Sequence, residues 1–129
     1  MDYFVHVESE SDVRGLQPDF RALKAVGCRG VIVTAASDDP QYDFVSRFFA
    51  PGAGIDEDPV TGSAHCSLCP YWSALLGKRE MTGYQASRRG GIVRVTDRGA
   101  RVVLAGRAVI VSEGELSPDA LPTRVMVHQ

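Results

Sequence analysis

The chain has 129 residues, 44% of them hydrophobic and 23% charged, the size and composition of one ordinary globular domain able to bury a core. Fourteen basic against sixteen acidic residues leave a formal charge of −2, which gives no electrostatic basis for binding nucleic acid or an anionic membrane. No apolar run approaches the ~20 residues that span a bilayer, and Asp2, His6, Glu8 and Glu10 interrupt any signal-peptide pattern, so the expected compartment is the cytoplasm.

In chain order, Tyr3 to Val7 alternates as a strand does, with His6 on its outer face. The polar stretch from Glu8 to Arg14 follows. Phe20, Leu23 and Val26 then recur at helical spacing, predicting a short amphipathic helix from Pro18 to Gly27. Gly30 to Ala35 is a β-branched run expected to form a buried strand, and Tyr42 to Ala50 supplies another. Arg47, just ahead of an acidic loop, is expected either in solvent or paired with Glu57 or a substrate carboxylate.

Gly54 to Lys78 is the most informative stretch: an acidic loop feeding a long apolar segment. Asp58 suits an N-cap, Pro59 the first helical position and Gly77 the C-terminal turn-off. Apolar side chains at Val60, Ala64, Leu68, Cys69, Tyr71, Trp72, Leu75 and Leu76 point to most of the circumference, so this helix is expected to be enclosed by protein. Its first turn places Thr61, Gly62 and Ser63 at the positive end of the dipole, a natural seat for an anion. Beyond it, Tyr84 to Ser87, Ile92 to Val95, Val102 to Leu104 and Ala108 to Val111 read as strands of an antiparallel meander, and a tail broken at Ser117-Pro118 and Leu121-Pro122 is expected to trail over the surface. Together these give an α+β class: a curled, mostly antiparallel sheet wrapped around one long buried helix, in one domain over residues 1–129. Such a sheet is expected to expose an edge that invites another domain or another copy.

Six residues of the loop and first turn can carry chemistry: Asp56, Glu57, Asp58, Thr61, Ser63 and His65. Adjacent carboxylates repel, and one shielded from water becomes able to exchange a proton near neutrality. Asp58, beside the anion-binding turn, is the strongest such candidate, whereas Asp56 reads as a solvated loop residue. Ser63 lacks the G-x-S-x-G elbow of a serine nucleophile, so it fits a donor to a substrate oxygen beside the Gly62 amide. His65 either faces the loop or sits hydrogen-bonded in the core. The three cysteines form no even disulfide framework; Cys66 and Cys69, though spaced as C-x-x-C, are expected to be small core residues, and no metal ligand set is apparent. No glycine-rich nucleotide motif occurs, so no cofactor is implied.

The run Gly54-Ile-Asp-Glu-Asp-Pro-Val-Thr-Gly-Ser-Ala-His65, with Pro70-Tyr71-Trp72 and Leu76-Gly77-Lys78, resembles the signature of the PhzF-like isomerases of phenazine biosynthesis. Arg29 to Ala35, Tyr42 to Pro51 and Gln85 to Gly91 resemble that family's segments in the same order. The resemblance implies one lobe of a diaminopimelate-epimerase-like fold, in which two similar lobes hold a small carboxylate substrate in the cleft between them. It implies cofactor-independent isomerisation by proton transfer, with Asp58 and Ser63 as this lobe's active-site side chains and Gly62 lending its backbone N–H. Thr61, Glu57 and His65 stand beside them as substrate-binding candidates. Only the family's C-terminal half is resembled, and the family's catalytic glutamate, its glycine-rich partner loop and a histidine belong to the other half. Three expectations follow: a lobe that needs a separate N-terminal lobe, two copies that form a pseudo-symmetric site, or a non-catalytic small-molecule or protein interaction module.

Overall fold

In the computed structural model, which describes residues 1–115 and 117, a seven-stranded sheet has helices on both faces. The strands are β1 (Asp2–His6), β2 (Gly30–Ala36), β3 (Phe44–Ala50), β4 (Ile55–Glu57), β5 (Glu80–Gln85), β6 (Gly91–Asp97) and β7 (Val102–Ala105). The helices are α1 (Glu10–Gly15), α2 (Phe20–Ala25) and α3 (Gly62–Leu76), with a 3₁₀ turn over Pro51–Ala53. The main path runs β1-β2-β3-β5-β6-β7, and β4 pairs with the end of β3. Two pairings, β1 with β2 and β3 with β5, are parallel; the others are antiparallel. The sheet does not close, and the fold is mixed α+β.

Alternation along the central strands builds two cores. In β2, Ile32 faces α3 while Val33 and Ala35 face α1 and α2; in β3, Phe44, Phe48 and Ala50 face α3 while Val45 and Phe49 face the other way. Both strands are apolar on both faces because each face is covered. On the α3 side the core holds Leu68, Cys69 and Trp72 against Met81, Val93 and Val95. Trp72 stacks on Phe44 and its indole N–H donates to Thr34 Oγ1 at 3.0 Å.

Several expectations change at this level. α1 forms inside the stretch read as merely polar, started by a capping box between Ser9 and Asp12, a signal present in the sequence as S-x-x-D. α2 begins at Phe20 with Asp19 as N-cap, two residues after Pro18. β5 starts at Glu80, ahead of the expected Tyr84; its apolar residues Met81 and Tyr84 are separated by Thr82 and Gly83 and give no continuous run. Ala108 to Val111 forms no strand; Val109, Ile110 and Val111 are almost fully exposed, since β7 ends at Ala105 and no described strand lies beside them. The tail beginning at Ser117-Pro118 lies outside the described residues apart from Ser117.

α3 is fifteen residues long and is not enclosed around its circumference. Ala64, His65, Leu68, Cys69 and Trp72 form a buried stripe at helical spacing, whereas Cys66, Ser67, Pro70, Leu75 and Leu76 are exposed. Cys66 is therefore not a core residue, although Cys69 is. Burial pushes the Cys69 thiol above its ordinary range, with Asp97 and Cys66 adding to the effect. Pro70 sits on the exposed side, where the carbonyl it leaves without a helical donor faces outward. Gly77 ends the helix in the left-handed conformation, as its position predicts.

Candidate active site at the start of the central helix

The helix begins at Gly62, with Thr61 as N-cap, rather than at Asp58 and Pro59. The reason is Gln85, a fully buried residue at the end of β5. Its side-chain oxygen accepts the Thr61 N–H at 2.8 Å, and its amide nitrogen donates to the Asp58 carbonyl at 2.6 Å and to Thr61 Oγ1 at 3.2 Å. These bonds keep Asp58 to Thr61 out of the helix, so tertiary pairing overrides the local preference for an early helix start. The Asp58 N–H donates to the Phe48 carbonyl at 3.0 Å, and Ser87 Oγ donates to the Pro59 carbonyl at 2.8 Å. The loop is thus pinned from β3, β5 and the turn after β5.

Pinned in this way, Asp58 aims its side chain at Thr61, whose hydroxyl donates to Asp58 Oδ2. Asp58 is half-buried, and its other carboxylate oxygen has no protein hydrogen-bond donor among the described residues. Thr61 uses its hydroxyl on Asp58, so no side chain caps the first turn of α3. The amides of Gly62, Ser63 and Ala64 have no intrahelical acceptor, and Gly62 and Ser63 are exposed. A half-buried carboxylate and a row of unclaimed N–H donors therefore share one open helix end.

The Ser63 hydroxyl oxygen accepts from Arg29 Nη2 at 3.0 Å. Arg29 is itself held by Asp2, its Nε donating to Asp2 Oδ1 at 2.8 Å, and its guanidinium lies over the Phe48 ring. With its oxygen used as an acceptor, Ser63 has its own proton free to donate. The guanidinium keeps the Asp2 carboxyl below the usual carboxylate range.

The other candidates are placed differently. Glu57 forms a two-pronged ion pair with Arg47, at 2.7 and 3.0 Å, while Arg47 Nη1 donates to the Leu16 carbonyl at 2.8 Å. Arg47 is therefore neither solvated nor available to a substrate, and Glu57 is committed to fixing the loop. Asp56 is exposed. His65 is fully buried rather than facing the loop: Nδ1 lies 2.8 Å from the Thr61 carbonyl, and Nε2 has no partner and packs beside Gly83 and Phe44. Burial lowers its pKa, with the Thr61 carbonyl acting in the opposite direction.

Two consequences can be measured here. A neutral, buried His65 contributes stability above the pKa of an unfolded histidine, about 6.5. That contribution is lost as pH falls, because the unfolded chain takes up a proton that the folded one refuses. Denaturation midpoints are expected to fall below about pH 6.5, with a slope of at most about 1.4 kcal/mol per pH unit, and His65→Gln removes that slope. Gln85→Ala leaves the Thr61 N–H and the Asp58 carbonyl without their partner and is expected to lower stability by about 2 kcal/mol in urea denaturation.

Two residues that shape this end were not singled out in the sequence as site residues. Gln85 looks like one polar residue among strand residues, and only its burial shows what it does. Arg29 lies thirty-four positions before Ser63, and no local spacing connects the two. Among the described residues no group of three or more His, Cys, Asp or Glu side chains is arranged to hold a metal, and no helix is long and apolar enough to cross a membrane.

With this geometry in hand, similarity to known proteins is informative. The profile of the phenazine biosynthesis-like PhzC-PhzF family matches residues 1–114. An uncharacterized isomerase of Halalkalibacterium halodurans is 48% identical over 115 residues, covering 89% of this chain and 43% of its own length. An uncharacterized isomerase of Pseudomonas aeruginosa is 55% identical over 112 residues, covering 87% and 42%. A crystal structure of a PhzC/PhzF phenazine biosynthesis protein from Clostridium difficile superposes with a TM-score of 0.80 at 39% identity, covering 90% of this chain and 44% of that one. A PhzF-family protein from Enterococcus faecalis gives the same TM-score, 0.80, at 43% identity, covering 88% and 44%. The chain thus spans less than half the length of each of these relatives.

Proposed function

The chain belongs to the phenazine biosynthesis-like PhzC-PhzF family, and on that premise we propose that it acts as the C-terminal lobe of a cofactor-independent isomerase. The observation that carries this reading is the open end of α3: the Asp58 carboxylate lies beside the unclaimed amides of Gly62 and Ser63. The amides and the Ser63 hydroxyl would receive a substrate carboxylate, and helix polarity favours the negative charge there. Asp58 would then exchange a proton with the carbon next to that carboxylate, as general base or acid.

Proton transfer in both directions across one carbon needs a second group on the far side of the substrate. Among the described residues Asp58 is the carboxylate at the helix end that has no cationic partner, since Glu57 is bound to Arg47, and His65 is buried. We therefore assign the opposing group to a second lobe, in a diaminopimelate-epimerase-like arrangement where two helix ends face one cleft. The exposed side of α3, including Leu75 at 56% and Leu76 at 38% exposure, and the outer edges of β1 and β7, which pair with no further strand among the described residues, support a partner surface. The partner would be a separate N-terminal lobe, with a second copy of this chain as the other source.

Titration of the isotopically labelled chain with lactate, followed by amide chemical shifts, tests the binding part. The Gly62 and Ser63 amides are expected to move, and Ser63→Ala is expected to weaken binding. Shifts that leave both amides in place would remove the proposed anion seat.

A further inference from the structure

A groove of about 650 Å³ leads away from Gly62 between the turn after β5 and the end of β7. Its walls include Val60, Ile92 and Leu104, and two guanidinium groups, Arg89 and Arg107, stand on it. Both arginines are exposed and neither forms an ion pair with any described residue.

The turn that carries Arg89 is built in place. Ser87 Oγ donates to the Pro59 carbonyl and accepts the Gly90 N–H at 3.1 Å. Gly90 has a φ of 71°, and a Cβ there would stand 2.3 Å from the Tyr84 hydroxyl oxygen; a Cβ on Gly91 would stand 2.1 Å from Val60 Cγ2. Only glycine lets this turn lie flat against Tyr84 and Val60. The consequence is that Arg89 is anchored to the same loop that carries Asp58, through the Pro59 carbonyl.

Two guanidiniums lining one groove offer positive charge to an anion held in it. A guanidinium presents a planar fork suited to a carboxylate, and the groove's size suits a small ligand. We propose that this groove is a second anion subsite, so that the substrate is a compound carrying two carboxylates joined by a short apolar spacer. One carboxylate sits at Gly62 and Ser63 and the other on Arg89 and Arg107. This rests on the reading of the α3 end as the seat of the first carboxylate.

The test compares glutarate with glutaramate, in which one carboxylate is replaced by an uncharged amide, by chemical-shift titration of the 129-residue chain. Glutarate is expected to bind about tenfold more tightly than glutaramate and to move the Gly62, Gly90 and Gly91 amides. Arg89→Gln and Arg107→Gln, both at exposed positions, are each expected to bring that preference close to one, and Arg89→Lys is expected to keep part of it. Equal affinity of the unaltered chain for the two ligands would overturn the subsite. So would a preference that survives both glutamine substitutions, or no shift with about 50 mM glutarate, enough to saturate a millimolar site. Ser63→Ala separates the two readings. It is expected to weaken both ligands alike; no effect on either would remove the first carboxylate's seat while leaving the arginine preference standing.

Discussion

Asp58→Asn is expected to lower the rate of proton transfer by about 10²–10⁴-fold in the chain combined with its complementing lobe, the range attached to losing a general acid or base. The substitution changes little else. The asparagine side chain keeps an oxygen that can accept the Thr61 hydroxyl, and the bonds from the Asp58 N–H to the Phe48 carbonyl and from Gln85 to the Asp58 carbonyl belong to the backbone. An amide cannot take up a proton at neutral pH, so the variant separates proton transfer from loop geometry. Urea denaturation should give the same midpoint within about 0.5 kcal/mol. A variant that turns over at the original rate would show that Asp58 positions the loop and moves no proton.

Arg47→Leu is expected to have the largest effect on stability, about 3–5 kcal/mol, because it leaves a mostly buried carboxylate without its partner. The side chains of Arg47 and Glu57 are only 12% and 18% exposed, and the guanidinium also ties β3 to the carbonyl of Leu16. Glu57 directly precedes Asp58, so loss of the pair should loosen the candidate site as well as the core. The double variant Arg47→Leu with Glu57→Leu should recover much of the loss, since it removes the unpaired charge. A cost below about 1 kcal/mol for the single change would place this ion pair with weak surface pairs.

Much of this architecture is legible in the residues before any coordinates. β2 and β3 announce themselves through continuous apolar and β-branched runs because both of their faces are covered. β6 and β7 do so through turn signals at close spacing, and the end of α3 through Gly77. What is not legible depends on contacts between distant segments. The start of α3 is set by Gln85, twenty-four positions beyond Thr61, and local capping preference favours Asp58 instead. The exposure of Cys66 and the burial of His65 follow from the side of α3 that meets the sheet, which an apolar count spread around the helix does not reveal. Arg47 had three open destinations in the sequence, solvent, Glu57 or a substrate carboxylate, and the register of β3 against β4 chooses Glu57.

The candidate site shows the same division. Asp58, Thr61, Gly62 and Ser63 are recognisable as a group because one loop and one helix turn hold them. Arg29, just ahead of β2, and Gln85, at the end of β5, fix that group from distant parts of the chain. The open side of the site is the chemical reason to look for a second lobe. One carboxylate at a helix end can bind and deliver a proton, yet inversion at a carbon needs a second proton carrier on the opposite face of the substrate.

The most direct measurement is deuterium incorporation in D₂O next to the carboxylate of small 2-substituted acids. It would be made with the pure 129-residue chain and again after adding the part of the Halalkalibacterium halodurans isomerase that this chain does not match. The expected result is no exchange by the chain alone, exchange on combination, and loss of that exchange with Asp58→Asn. Sustained exchange by the pure chain while it remains monomeric would contradict a site divided between two lobes.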